Sequence, residues 1–73
     1  MSLKKLKLSS VIFGQNVYRL RQKSGMTQKE LAERAGIHCS SVQKIEAGEA
    51  NPKIGVVMKI EGVFRCGWEE LLD

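Results

Sequence analysis

Between residues 38 and 44 the chain carries a group of short polar side chains whose types and spacing could do chemistry. The group consists of His38, Cys39, Ser40, Ser41, Gln43 and Lys44. Nucleophilic catalysis is disfavoured, because a thiol beside a histidine in sequence does not supply the cleft and the orienting third group that such sites need. Hydrogen bonding remains, since serine, glutamine and lysine side chains can pair with base edges or phosphate oxygens. A solvated helix can carry the same residues, so the elements that position the group decide its meaning.

Few other residues could form a metal, redox or nucleotide site. The two cysteines, Cys39 and Cys66, are too few for a disulfide scaffold and favour reduced thiols. The single histidine argues against zinc, because zinc sites normally take four ligands at short spacings. The phosphate-binding pattern Gly-x4-Gly-Lys-Ser/Thr does not occur. We therefore predict no enzyme, no metal and no cofactor.

Two short helical patterns position the polar group. Thr27-x-x-Glu30 is a capping box that begins a helix over Gln28–Ala35. Gly36 ends that helix, and Ile37 is expected to be buried at the turn. The next helix is predicted from about Cys39 to Ala47. Its inward face consists of Val42 and Ile45. Helices this short are marginal unless other elements pack against them.

Three further helices complete an all-α, compact five-helix bundle with no strand. The first is predicted over Ser10–Lys23, capped by Ser9 or Ser10 and ended at Gly25. Asn51-Pro52 is expected to open the fourth helix, and Trp68 to Leu72 form the fifth. The predicted apolar contacts of these helices are Phe13, Val17, Leu20, Ile54, Val57, Ile60, Phe64, Trp68, Leu71 and Leu72. Phe64 and Trp68 could line a ligand pocket, but core or a dimer seam is the preferred interpretation.

Length and charge set the organisation of the chain. Its 73 residues make one small domain, divided here into a basic arm at residues 1–9 and a helical domain at 10–73. Residues 1–34 carry eight basic and two acidic side chains, and residues 35–73 carry four and six. The formal charge is therefore +6 in the first part and −2 in the second. The first part is suited to binding a polyanion, and the second is better suited to binding a protein. No secretory signal or membrane span is recognisable, so we predict a cytoplasmic protein.

The small residues at the corner between the second and third helices, with Gly36 at the turn, describe a helix-turn-helix. In that arrangement the second of the two helices is presented to the major groove of DNA. The segment TQKELAERAGIHCSSVQKIEAGEANP resembles the lambda-repressor-like, Cro/XRE-type helix-turn-helix family. The resemblance covers about 60 of the 73 residues, from Phe13 to Leu72. It keeps together the spacing of Arg21, Gln28, Leu31, Ala32, Gly36, Glu46, Gly48 and Pro52.

The resemblance implies a role for each matching residue. Cys39, Ser40 and Lys44 match positions that contact bases, and the phosphate contacts are Gln28, Ser41, Gln43, Asn51 and Lys53. Arg21 and Glu46 match a structural ion pair. His38 departs from the family's serine or threonine cap, so the start of the third helix is expected to be either shifted or differently capped. Cys39 replaces a longer polar side chain, so the base specificity of this position and redox control through its thiol are open questions. A pH response through His38 is a further open question.

The family implies a transcriptional regulator that binds double-stranded DNA as a homodimer, like phage repressors, Cro-like proteins and restriction-modification controllers. Such a protein would act by blocking RNA polymerase or by contacting it. An antitoxin-type module that holds a toxin through its acidic second part, with secondary DNA binding, is the alternative. A third possibility is a nonspecific nucleic-acid binder that uses the basic arm and the first helix.

Overall fold

The computed structural model describes residues 9–72, which form five α-helices and no strand. The helices are α1 (Ser10–Ser24), α2 (Gln28–Ala35), α3 (Cys39–Glu46), α4 (Ile54–Phe64) and α5 (Trp68–Leu72). The predicted all-α five-helix fold is therefore confirmed. Most of the predicted basic arm, residues 1–8, and Asp73 lie outside the described residues. No helix in the described part is long and apolar enough to cross a membrane.

Helices α1 and α2 begin and end at the predicted capping residues. Ser9 Oγ accepts a hydrogen bond from the Ile12 amide at 3.3 Å, which satisfies one of the free donors at the start of α1. Gly25 ends α1 with φ +71°, and Gly36 ends α2 with φ +72°. Both values lie in the left-handed region, where glycine carries no steric penalty.

The turn between α2 and α3 is held by backbone hydrogen bonds. The Ile37 amide donates to the Ala32 carbonyl at 3.0 Å, and the Gly36 amide donates to Glu33 at 3.3 Å. Ile37 was predicted to be buried, but it is half-buried and packs only against the rim of the core. The reason is that the turn between α2 and α3 lies at the surface, where the neighbouring residues Gly36 and His38 are exposed to solvent.

One apolar core lies between the helices, with α1 packed against α3 at very short range. The core side chains are Phe13, Val17, Leu20, Leu31, Ala32, Ala35, Val42, Ile45, Val57, Ile60 and Leu71. At the crossing of α1 and α3, Gly14 is buried against the Ile45 backbone. A Cβ atom at Gly14 would lie 2.1 Å from the Ile45 carbonyl oxygen. Only glycine permits this approach, and it fixes α3 relative to α1.

Helix α4 differs from the prediction at its start. It begins at Ile54 with Lys53 as N-cap, so Asn51-Pro52 precedes the helix instead of opening it. Lys53 is extended, with φ −78° and ψ 154°, and so cannot continue a helix from Pro52. Ile54 was predicted to face inward, but it is 70% exposed. The packed part of the face begins two residues later, with Val56 and Val57.

Helix α5 returns to α1 through one buried side chain and two hydrogen bonds. Leu71 is buried, as predicted, but Trp68 is 44% and Leu72 38% exposed, so the core interpretation was wrong for both. A five-residue helix has little more than one turn, and Leu71 alone reaches the core. Asn16 Nδ2 donates to the Leu71 carbonyl at 2.9 Å, and Arg19 Nη2 donates to the Glu70 carbonyl at 3.2 Å.

Candidate DNA-binding surface

Helix α3 presents its polar side chains to solvent because Val42 and Ile45 fix its other face in the core. Ser40, Gln43 and Lys44 are exposed, and Cys39 and Ser41 are half-buried. Ser40 and Lys44 are four residues apart and share one face of the helix. Cys39 differs, since part of its side chain packs against the core. The outer face of α3 is therefore a short, polar and rigidly held surface.

His38 is the N-cap of α3, but its side chain makes no capping hydrogen bond. The helix is closed by backbone alone, with the Ser41 and Val42 amides donating to the His38 carbonyl at 3.0 and 3.3 Å. The expected departure at this position is thus an N-cap without a side-chain acceptor. The start of α3 is not shifted, and the exposed imidazole is left to face solvent.

The N-terminus of α2 is a second polar feature. Thr27 Oγ1 accepts from the Glu30 amide at 3.1 Å, and Glu30 Oε1 accepts from the Thr27 amide at 2.8 Å. Within residues 9–72 the capping box thus occupies these two amides and leaves those of Gln28 and Lys29 for an external anion. The positive end of the helix dipole favours an anion at that place.

The capping box predicts a pH effect on stability. The hydrogen bond that the Thr27 backbone amide donates to the Glu30 carboxylate, assisted by the Thr27 side chain, holds the pKa of Glu30 below its ordinary value. A lowered pKa in the folded state gives stability that is present above the unfolded pKa of about 4.3 and is lost as pH falls through the folded pKa. Glu30→Gln keeps an acceptor for Thr27 but cannot titrate. We therefore expect the variant to lose less stability than the wild type between about pH 5 and pH 3 in urea titrations; equal losses would contradict the prediction.

A buried ion pair connects α1, α2 and α3 behind this surface. Arg21 Nε donates to Glu46 Oε2 at 2.6 Å, and Arg21 Nη2 donates to Glu46 Oε1 at 2.9 Å. The two side chains are 10% and 6% exposed. Arg21 Nη1 also donates to the Met26 carbonyl at 2.9 Å, and the Tyr18 ring centroid is 5.4 Å from the guanidinium carbon. The hydrogen bonds to Glu46 raise the pKa of Arg21. The predicted structural pair is therefore present.

Gln28 makes a contact that sequence reasoning missed. Its Nε2 atom donates to Glu46 Oε1 at 3.0 Å, so the amide predicted to contact phosphate is attached to the ion pair. Gln28 is half-buried at the first position of α2. The sequence held a sign of this contact, because Gln28 and Glu46 are both among the residues whose spacing carries the family resemblance. Their 18-residue separation concealed the contact.

The segment between α3 and α4 forms the third part of the surface. Asn51 Oδ1 accepts a hydrogen bond from Ser10 Oγ at 2.6 Å, which attaches this segment to the start of α1. A shallow concavity of about 200 Å³ separates the segment from α3. It is lined by Ser41, Lys44, Ile45, Ala50, Asn51, Pro52, Lys53 and Val56. Four predicted contact residues, two of them lysines, therefore line one concavity: Ser41, Lys44, Asn51 and Lys53.

Comparison with known proteins gives consistent results. A family model described as helix-turn-helix matches residues 17–71. An HTH-type transcriptional regulator of Archaeoglobus fulgidus is 36% identical over 55 residues, which is 75% of this chain and 79% of that protein. The restriction-modification controller protein C.AhdI from Aeromonas hydrophila superposes with a TM-score of 0.80 and 31% identity, covering 85% of this chain and 94% of that one. The SinR protein/SinI protein complex gives 0.79 and 34%, covering 84% and 60%.

Proposed function

The chain belongs to the lambda-repressor-like, Cro/XRE-type helix-turn-helix family of DNA-binding transcriptional regulators, and from this premise we propose that it binds a near-palindromic operator as a homodimer. In this function α3 enters the major groove and the N-terminus of α2 meets the backbone. The main support is the outer face of α3, where exposed polar side chains stand on a helix fixed by Val42 and Ile45.

The side chains divide into base contacts and phosphate contacts. Ser40 and Lys44 contact base edges, Lys44 as a donor to guanine, and the half-buried Cys39 packs its thiol on a thymine methyl. The phosphate contacts are Gln28, Ser41, Gln43, Asn51 and Lys53. Support comes from the concavity between α3 and the segment that follows it, because Lys44 and Lys53 both line it. Residues 10–73 act as the DNA-binding domain, and the basic arm at residues 1–9 adds attraction to the polyanion.

Homodimer formation is supported by apolar side chains that the core does not use. Ile54 and Met58 are exposed on α4, and Trp68 and Leu72 are exposed on α5. Each pair is spaced four residues apart and so shares a helix face. A two-fold dimer through this region would present two copies of α3 to successive major grooves, about 34 Å apart. Regulation then follows from occupying DNA, by blocking RNA polymerase or contacting it.

An antitoxin-type protein-binding module with secondary DNA binding is the second candidate. It is favoured by the same exposed apolar side chains of α4 and α5, which lie in the acidic part of the chain with Glu61, Glu69 and Glu70. The structural neighbour SinR was solved in a complex with another protein, SinI. In this function the α4–α5 surface would hold a toxin or another protein instead of a second copy.

Selection from a pool of random duplexes at near-physiological salt tests the proposal. Sequencing of the bound fraction should reveal a two-fold motif whose half-sites lie about one helical turn apart. Light scattering of the selected complex should give two chains per duplex. A pool without enrichment, with only weak and salt-sensitive binding, would exclude the specific regulator and favour the protein-binding module.

Two substitutions separate base contacts from backbone contacts. Lys44→Ala should weaken binding to the selected operator by about 1–3 kcal/mol and relax the preference at one base pair of each half-site. Gln28→Ala should weaken all duplexes by a similar factor, because a phosphate contact carries no sequence information. Fluorescence anisotropy with the operator and with single-base variants measures both effects.

The control for Lys44→Ala is Lys59→Ala, which removes the same charge from an exposed position on α4. It should change affinity little and leave the base preference unaltered. A Lys44→Ala protein that loses the same fraction of affinity for every duplex would show that Lys44 contacts phosphate and not a base.

A further inference from the structure

We propose that Glu46 is a positioning residue for DNA, because it orients the Gln28 side chain that contacts phosphate. The inference rests on the proposed function and adds a role to a residue otherwise assigned to the scaffold. Its basis is the hydrogen bond from Gln28 Nε2 to Glu46 Oε1, at 3.0 Å. Glu46 itself is 6% exposed at its side chain, so it acts through Gln28 and not by touching DNA.

The chemistry of the two groups fixes which way the Gln28 amide faces. An ionised carboxylate only accepts hydrogen bonds, so it must meet the NH₂ group of the amide and not its oxygen. One N–H is then used by Glu46, and the second remains for a phosphate oxygen. Without Glu46 the amide could rotate and present its oxygen, which repels phosphate. The side chain is also held in place before binding, which lowers the entropy lost when the contact forms.

A carboxylate near a phosphate site would ordinarily weaken binding by repulsion. Here Arg21 donates two hydrogen bonds to the Glu46 carboxylate, at 2.6 and 2.9 Å, and neutralises its charge. Arg21 therefore allows the Glu46 carboxylate to lie within hydrogen-bond distance of the Gln28 side chain at the N-terminus of α2. The Arg21–Glu46 ion pair joins α1 to α3, and through Glu46 it also orients the Gln28 side-chain amide on α2.

The test uses the selected operator with each phosphate replaced in turn by a neutral methylphosphonate. In the wild type, each contacted phosphate should weaken binding when it is neutralised, and at the one position per half-site that Gln28 contacts the loss should be about tenfold. In Gln28→Ala that position should have no further effect, which identifies the phosphate. In Glu46→Gln the sensitivity of the same position should fall below threefold, while the other phosphates keep their full effect. A purely structural role of Glu46 would instead lower the affinity at every position alike.

A second variant guards against loss of the fold. Arg21→Met combined with Glu46→Met removes both charges, keeps the net charge and keeps a buried pair of similar volume. Thermal unfolding verifies that this protein is folded before binding is measured. It should lose sensitivity at the Gln28 phosphate alone, and Lys53→Ala serves as the control that loses a different phosphate. Full sensitivity at the Gln28 phosphate in this folded double variant would overturn the inference.

A measurement on the free wild-type protein gives an independent outcome. The NMR order parameter of the Gln28 side-chain NH₂ group should be close to the backbone value of about 0.85. A value under about 0.6 would describe a freely moving amide and overturn the inference. A wild-type protein that selects no operator contradicts the proposed function. A selected operator without a phosphate that depends on Gln28 contradicts both the Gln28 phosphate contact and the positioning role, and leaves operator binding by α3 standing.

Discussion

Gly14→Ala should destabilise the fold by about 3 kcal/mol, at the upper end of what an added methyl group costs in a packed interior. The new Cβ would lie 2.1 Å from the Ile45 carbonyl oxygen and 3.1 Å from its carbonyl carbon. Both atoms belong to the backbone of α3, so no rotation of a side chain can relieve the overlap. Helices α1 and α3 would have to separate, which would loosen the contacts of Phe13 and Val17 as well. A domain this small has little stability in reserve, so a large unfolded fraction is expected.

Urea unfolding followed by circular dichroism measures this effect. Gly62→Ala is the matched control, because it adds the same methyl group in the last turn of α4, where no atom lies within 4 Å. That variant should be more stable than the wild type by about 0.5–1 kcal/mol, through the higher helix propensity of alanine. If Gly14→Ala proved as stable as Gly62→Ala, the close approach of α1 to α3 would have no energetic importance.

Arg21→Met should cost about 3–5 kcal/mol, the range for removing one partner of a buried ion pair. The substitution leaves the Glu46 carboxylate in a site that is 6% exposed, where the Gln28 amide is the one remaining donor among residues 9–72. It also removes the donor to the Met26 carbonyl, which lies in the connection between α1 and α2. The loss therefore comes mainly from an uncompensated charge and less from the missing attraction itself.

Replacing both partners separates these two contributions. The combination of Arg21→Met and Glu46→Met should recover most of the stability, because no buried charge is left without a partner. Differential scanning calorimetry of the single and double variants gives the coupling energy. A double variant as unstable as Arg21→Met alone would mean that packing of the arginine stem, not the charge of Glu46, dominates.

The local parts of the fold were predictable because they depend on neighbouring residues. Ser9, Gly25 and the Thr27–Glu30 capping box mark helix ends through hydrogen bonds that span only a few positions. The inward faces of α1, α2 and α3 follow from helical periodicity in the same way. The start of α4 was misassigned because proline suits the first turn of a helix, but it also occurs in the extended segment that leads to one.

Features that depend on the arrangement of whole helices were not predictable. Trp68 and Ile54 are large apolar residues typical of a core, yet each is the first residue of its helix and precedes the packed face. Gly14 looked like any mid-helix glycine until α3 was placed against it. The DNA contacts were predicted residue by residue from the resemblance, and they stay a prediction. The hydrogen bonds Gln28–Glu46 and Ser10–Asn51, which hold parts of that surface, join residues 18 and 41 positions apart.

The attachment of α5 has a consequence for how the molecule opens. A single buried leucine and two hydrogen bonds from α1 side chains hold this helix, whereas α3 is locked between α1 and α2. Proteins open in cooperative units whose free energies range from near zero to that of global unfolding. Among the five described helices α5 has the fewest buried residues, with Leu71 alone, so it can detach while the helix-turn-helix stays intact. Its amide protons then exchange with solvent through a sub-global opening, ahead of those in α1 and α3.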